Sequence, residues 1–401
     1  MKKKKSNIVN FIICGLTFVL VLVYLFAFHE GEALKNAFLR FRIEYLLLAL
    51  GLMAVYWVLE AISIQVLIRK VWPHMPFRHT MVTTMIGQYF NCITPLSSGG
   101  QPVQAYYMAR YGMPPSASMT ILLARLIIYE FTLTAYSAVV LVMKLPYFLE
   151  GKLALVIMAL IGFAVNAIGI FLFFLLAFWH KGTTKMAHFG IRVLAKLHIV
   201  KEKEKTMARV DKQLEGAYQN MHFVLKLPGT VLFIILITVV QLTIFYGISY
   251  VIYLGFYPEF LTNGQGTDFF TVLSCQSLVA MVSAMFPLPG AAGASETAYV
   301  MYFKGVYPQT AEGDAAVPMS MILWRFLTFY LAIIIGIIIT LILNQGKGTP
   351  REALAQDEIL DELEEEGEKA LTDGNTSEQV TKGTPAAGQG SESNNPPTNE
   401  N

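Results

Sequence analysis

The chain has 401 residues, of which 55% are hydrophobic and 14% charged, with a formal net charge of +2. That composition is too apolar for an ordinary soluble domain. No basic stripe is interleaved with exposed aromatics, which speaks against nucleic acid as a partner. Cys14, Cys92 and Cys275 and the seven histidines have no neighbours at ligand spacing, so neither a metal nor another cofactor is expected.

Lys2 to Lys5 precede an apolar run, Val9–Phe28. A cleaved signal peptide is the alternative reading, but the run exceeds a typical signal core and no small-x-small site follows it, which favours a retained first span. Further apolar runs, each near the roughly 20 residues a bilayer requires, follow at Tyr45–Ile68, Met119–Met143, Leu153–Trp179, Val231–Tyr253 and Met321–Leu343. Two other hydrophobic segments, Met81–Met108 and Phe269–Tyr302, are interrupted by glycine and proline. No segment alternates at the barrel period, so helices are the spanning elements. The expected fold is an all-α polytopic membrane protein, with about six full spans and two re-entrant broken-helix hairpins forming an inverted repeat. It occupies residues 1–344. Within it, Lys181–Leu227 is rich in lysine and arginine and reads equally as an amphipathic surface helix or a solvated basic loop. Residues 345–401 form an acidic tail too polar to fold alone.

Positive charge marks the cytoplasmic side. Lys2 to Lys5 and the basic stretch 181–227 share that side only if Met81–Met108 enters and leaves by the same face. The same count makes Phe269–Tyr302 dip in from the opposite face, and its flanks carry no basic residue. Both termini are then cytoplasmic, in a plasma membrane. Lys35, Arg40 and Arg42, in the first outer loop, are discordant.

The two interrupted segments resemble each other. Aligned without gaps, Pro95 meets Pro287, Leu96 meets Leu288, Gln104 meets Glu296 and Tyr107 meets Tyr299. Each is followed by a span with one arginine, Arg125 or Arg325. In transporters, such paired interruptions mark the binding site. A helix broken inside hydrocarbon leaves backbone groups unpaired, at several kcal/mol each, and survives only inside protein or along a watered cavity. Proline stops the helix, and glycine permits the turn. The restarted helices aim their N-terminal donors at the break, where an anion such as a lipid phosphate is favoured.

An arginine within the bilayer costs at least ~2.5–3.5 kcal/mol. Each guanidinium sits inside its span, the two entering from opposite faces. Glu130 lies about 140° around the helix from Arg125 and is a poor partner for it. Glu60, Gln104, a backbone carbonyl or a phosphate is expected to take that role, while Arg325 is expected to pair with Glu296. The substrate-binding set is therefore Arg125, Arg325, Gln104, Glu296, Glu60 and Glu130, with Pro95, Ser97, Ser98, Gly99, Gly100 and Gln101 at the first break, Pro287, Pro289, Gly290 and Gly293 at the second, and Gln88 and Asn91. The competing account is structural: ion pairs that lock the bundle, helix caps at Gln104 and Glu296, and an interhelical hydrogen bond at Gln88 and Asn91.

Gln88-Tyr89-Phe90 leading into Thr94-Pro95-Leu96-Ser97-Ser98-Gly99-Gly100, then Arg125, then Phe286-Pro287-Leu288-Pro289-Gly290 through Glu296, resembles the flippase-like membrane domain of the lysylphosphatidylglycerol synthases, or multiple peptide resistance factors. Ala291 and Ala292 depart from the fuller glycine run typical there. The resemblance implies movement of an anionic or aminoacylated phospholipid between leaflets, supporting resistance to cationic peptides. In that family a soluble domain transfers lysine from lysyl-tRNA. Only the acidic tail follows Leu343 here, so that transfer is not expected of this chain. No GxSxG or HExxH pattern points to another enzyme, and no catalytic residue is assigned. Membrane phospholipid is the expected partner, with a separate synthase or a second copy of the chain as further candidates. Membership in a lysyltransferase assembly and transport of a small soluble anion are the alternatives.

Overall fold

The computed structural model describes residues 31–150, 153–196, 227–264 and 266–344, with Glu204, Met207, Val210, Asp211 and Glu215. The expected span Val9–Phe28, most of 197–226 and the acidic tail lie outside the described residues. In chain order, α1 is Gly31–Arg40, α2 Ile43–Val71, α3 Phe77–Ile93 and α4 Gly100–Arg110. Next come α5 Pro115–Met143, α6 Leu145–Leu149, α7 Leu153–Phe178, α8 His180–Lys196 and α9 Pro228–Phe256. The last five are α10 Phe260–Asn263, α11 Phe269–Ser283, α12 Ala294–Phe303, α13 Ala311–Arg325 and α14 Leu331–Asn344. A π-helical turn, Phe326–Tyr330, joins α13 to α14.

Among the described residues five helices are long and apolar enough to cross a membrane: α2, α5, α7, α9 and the continuous Ala311–Leu343. These are the five later spans read from the sequence. The last begins ten residues before Met321, because Thr310 caps Gly313 N–H and Glu312 and Asp314 sit in the first turn. Arg325 is therefore the last of the 15 residues of α13, deeper than its expected position. The basic stretch after α7 opens as a helix, α8.

Helix α2 packs along α9, and Arg42 N–H bonds Gly255 O at 2.9 Å, so the two run antiparallel. Their two ends define the two faces of the bundle. Helices α3 and α4 form a hairpin that opens at the Lys70 end. Thr80 bonds Gln65 of α2, Gln65 Nε2 bonds Met75 O at 3.0 Å, and the His79 ring stacks on Tyr111 at 4.0 Å. Helices α11 and α12 form a hairpin that opens at the Arg42 end. There Thr267 donates to Val306 O at 2.7 Å, Lys144 pairs with Asp268 at 2.8 Å, and Arg40 pairs with Glu259 and Glu312. The tips of the two hairpins touch, the turn at Pro95–Ser97 meeting the turn at Pro289–Ala291. The hairpins are thus inverted, as the charge pattern required. Arg40 ceases to be discordant: two carboxylates and the Phe256 carbonyl (2.8 Å) hold it.

Candidate functional site

The first break is built by Thr94. As the residue before Pro95 it is driven out of the helical region (φ −114, ψ 146), and α3 ends at Ile93. Its hydroxyl donates to Phe90 O at 2.6 Å and accepts Gly99 N–H at 2.9 Å, tying the end of α3 to the start of α4. Leu96 and Ser97 both have positive φ (53 and 51), a left-handed conformation costing roughly 1–2 kcal/mol per residue. Ser98 Oγ donates to Pro95 O at 2.9 Å. Residues Pro95–Ser98 are exposed. Gly100 lies against the Asn91 side chain, where any Cβ would collide, and Asn91 Oδ1 is buried without a hydrogen-bond partner among the described residues. Gln104 packs on Gly87 of α3. The first turn of α4 contains Gln101 and no acidic residue.

The second break repeats the turn: Pro289, then Gly290 and Ala291 with φ of 58 and 50. Both turns therefore read proline, left-handed, left-handed. This corrects the sequence register by two residues, so that Pro95 corresponds to Pro289 and not to Pro287. Gapless matching was misled because Pro95-Leu96 and Pro287-Leu288 are identical in letters, whereas the backbone reverses after the second proline. Pro287 is exposed, just before the turn. Gly290 leaves no room for a side chain because the Phe329 ring of the π turn fills that position.

A buried clamp closes this turn. Arg325 Nε meets Glu296 Oε1 at 2.8 Å, and its Nη2 donates to Gly290 O at 2.8 Å. Glu296 Oε2 accepts Gly293 N–H at 2.7 Å and the Ser295 hydroxyl at 2.9 Å. The Trp324 and Phe329 rings cover the guanidinium, 4.9 and 5.2 Å from its carbon. Glu296 thus caps α12 and neutralises Arg325 at once.

Arg125 is placed differently. Its Nη2 bonds Glu60 Oε2 of α2 at 2.6 Å and Gln241 Oε1 of α9 at 3.0 Å, and Gln241 Nε2 returns to Glu60 Oε2 at 2.7 Å. The Tyr129 ring lies 4.9 Å from the guanidinium carbon. Arg125 is 4% exposed, yet Nε and Nη1 are buried without hydrogen-bond partners among the described residues. Each such donor in a dry site costs ~1–3 kcal/mol. Glu60, and not Gln104, is thus its partner. Glu130, five residues on, turns to the Asn166 side chain of α7. Gln88 is half-buried on α3. Gln241 and Asn166 were not singled out in the sequence, although a lone amide within an apolar run, as in Val240-Gln241-Leu242, is the signal that finds them.

Beside this cluster a cleft of ≈ 540 Å³ opens laterally, walled by α5, α9 and the first turns of α11. Its lining is almost wholly apolar, from Phe131 to Met143 on α5, with Val239 and Phe270 opposite. Tyr136 and Thr243 hydroxyls bond across it at 3.0 Å.

The family model of the lysylphosphatidylglycerol synthase TM region matches residues 11–336. A UPF0104 membrane protein of Archaeoglobus fulgidus is 22% identical over 324 residues, covering 80% of this chain and 93% of that one.

Proposed function

The chain belongs to the lysylphosphatidylglycerol synthase TM region family, and on that footing we propose that it translocates a phospholipid, anionic or aminoacylated, between membrane leaflets. The carrying observation is the pair of inverted hairpins whose broken tips touch between the two faces of the bundle. A break at that depth gives a polar headgroup hydrogen-bonding groups that hydrocarbon does not. The two halves divide the work. At the second break Glu296 already occupies the N-terminus of α12. At the first, α4 begins with no acid, and beyond the Gly99 N–H that Thr94 takes, its dipole is open to a phosphate. The unpartnered Nε and Nη1 of Arg125 supply a second set of donors to an anion.

Reconstitution tests this reading. Liposomes containing the protein and fluorophore-labelled phosphatidylglycerol or its lysyl ester are treated with a membrane-impermeant quencher. Wild-type protein should expose the inner-leaflet label, and Arg125→Ala and Arg325→Ala should leave it protected. Unchanged label exchange in both variants, each properly inserted, overturns the proposal.

A further inference from the structure

We propose that the cleft between α5, α9 and α11 is a binding groove for one acyl chain of a phospholipid in the leaflet at the Arg42 end. This deepens the translocation reading and rests on it for the identity of the lipid as substrate. The groove is defined by its walls, its length and its rim.

Its walls belong to two membrane-spanning helices and to the re-entrant α11, so its open side faces hydrocarbon. Phe131, Val139 and Met143 are exposed along that side, at 59%, 58% and 52%. A chain lying there is contacted from three directions and not one, which separates the groove from an ordinary lipid-facing helix surface. The volume falls within the range of small-molecule pockets, roughly 300–1,000 Å³. Along α5 the lining runs from Phe131 to Met143, about 18 Å of helical rise. That is slightly more than one leaflet of a hydrocarbon core roughly 30 Å thick. The match is to a single fatty chain, not to a compact solute.

The rim carries the headgroup chemistry. Immediately beyond Met143 and Phe269 stand Lys144 and Asp268, paired at 2.8 Å, with side chains 27% and 52% exposed. Lys144 stays tied to Asp268, so the ion pair as a whole marks the polar edge of the groove, at the depth where a lipid's glycerol backbone would sit. Among the described residues the polar groups of the lining are satisfied within the protein, Tyr136 with Thr243 and the Thr132 hydroxyl with Ile128 O. Nothing within the walls competes for a charged group.

Photo-crosslinking tests the groove independently of transport. Full-length protein in liposomes is irradiated with phosphatidylglycerol bearing a diazirine near the end of one acyl chain, and labelled peptides are mapped by mass spectrometry. Label should concentrate on Phe131–Met143 and Ile235–Thr243. Ala135→Trp, which places an indole in the groove from an exposed lining position, should cut that label by about tenfold, equivalent to about 1.4 kcal/mol. Ala138→Trp, exposed on the same helix outside the lining, should leave it unchanged. Label spread evenly over outward residues such as Leu160, Phe171 and Leu232 overturns the groove, as does label that Ala135→Trp does not reduce. Efficient disulfide formation between two Val139→Cys copies would also overturn it, by giving the face to a second copy of the chain. Label lost in Ala135→Trp while wild-type protein moves no lipid would uphold the groove and defeat the translocation reading alone.

Discussion

Removing Arg125 should destabilise the protein, and removing its partners with it should restore stability without restoring transport. Arg125 and Glu60 meet at 2.6 Å with side chains 5% and 13% exposed, and Gln241 bridges them. Deleting one member of a buried pair strands the other, at ~3–5 kcal/mol. Gln241 still donates to Glu60 in Arg125→Met, so the lower end, about 3 kcal/mol, is expected. Adding Glu60→Leu removes the stranded charge but leaves the Gln241 amide alone, a residual cost of ~1–3 kcal/mol. Adding Gln241→Leu should return stability to within about 1 kcal/mol of wild type, since an apolar replacement of a whole buried ionic group is often neutral. Denaturant titration in mixed micelles, read by tryptophan fluorescence, measures the series. The quencher assay on the same proteins should find no translocation in any of them. A double variant no more stable than Arg125→Met would mean that Glu60 is not the partner. A triple variant that moves lipid normally would take the cluster out of the transport path.

Three other outcomes are expected. Gly290→Ala should cost at least ~2 kcal/mol, because the residue has φ +58 and its Cβ meets the Phe329 ring, whereas Gly112→Ala, at φ +84 with open space around it, should cost about 1 in the same titration. At the Arg42 end, burial pushes the Asp268 carboxyl up, but hydrogen bonds from Lys144 and Thr271 outweigh it and hold the group below its ordinary value. A depressed carboxylate stabilises the fold above its unfolded pKa, about 3.9, and that contribution is lost as pH falls below it. Thermal stability of wild type should therefore drop on acidification, and Asp268→Asn should flatten that limb; parallel curves would refute the role. In a background without native cysteines, Lys70→Cys and Gln309→Cys should react with an impermeant maleimide from opposite sides of sealed vesicles. Labelling from one side would abolish the inverted arrangement.

Sequence carried the architecture because the bilayer imposes a length on every span and a charge bias on every loop. Five spans and the opposite entry of the two hairpins follow from those two rules, and both interruptions from their prolines and glycines. The site was legible in its letters but not in its pairings. Glu296 with Arg325 could be foreseen, since Met321–Leu343, the last span as read from the sequence, has no acid of its own. Glu60 with Arg125 stood among several candidates, because nothing in the sequence says that α2 and α9 flank α5. Gln241 escaped notice because one amide scarcely changes the hydropathy of a 29-residue helix. The register of the turns was misread because matching letters do not report φ. Ala291 sits left-handed where a glycine run was expected.

That register has a mechanical consequence. With Pro95 matched to Pro289, Gln104 no longer corresponds to Glu296, and the two breaks cease to be equivalent. The second is fastened by a carboxylate, a guanidinium and two aromatic rings, so opening it means separating a buried ion pair. The first has no ion pair: Thr94 and Ser98 hydroxyls, the packing of Asn91 on Gly100 and of Gln104 on Gly87, and contact with the second turn hold it, with Leu96 exposed at its tip. The two Thr94 hydrogen bonds, at about 1 kcal/mol each, set the scale of that restraint. If one hairpin moves while a headgroup passes, it is α3–α4, pivoting against a fixed α11–α12. Thr94→Val, which keeps the shape and removes both bonds, should then change the translocation rate at a stability cost of about 2 kcal/mol, while leaving the Arg325–Glu296 clamp intact.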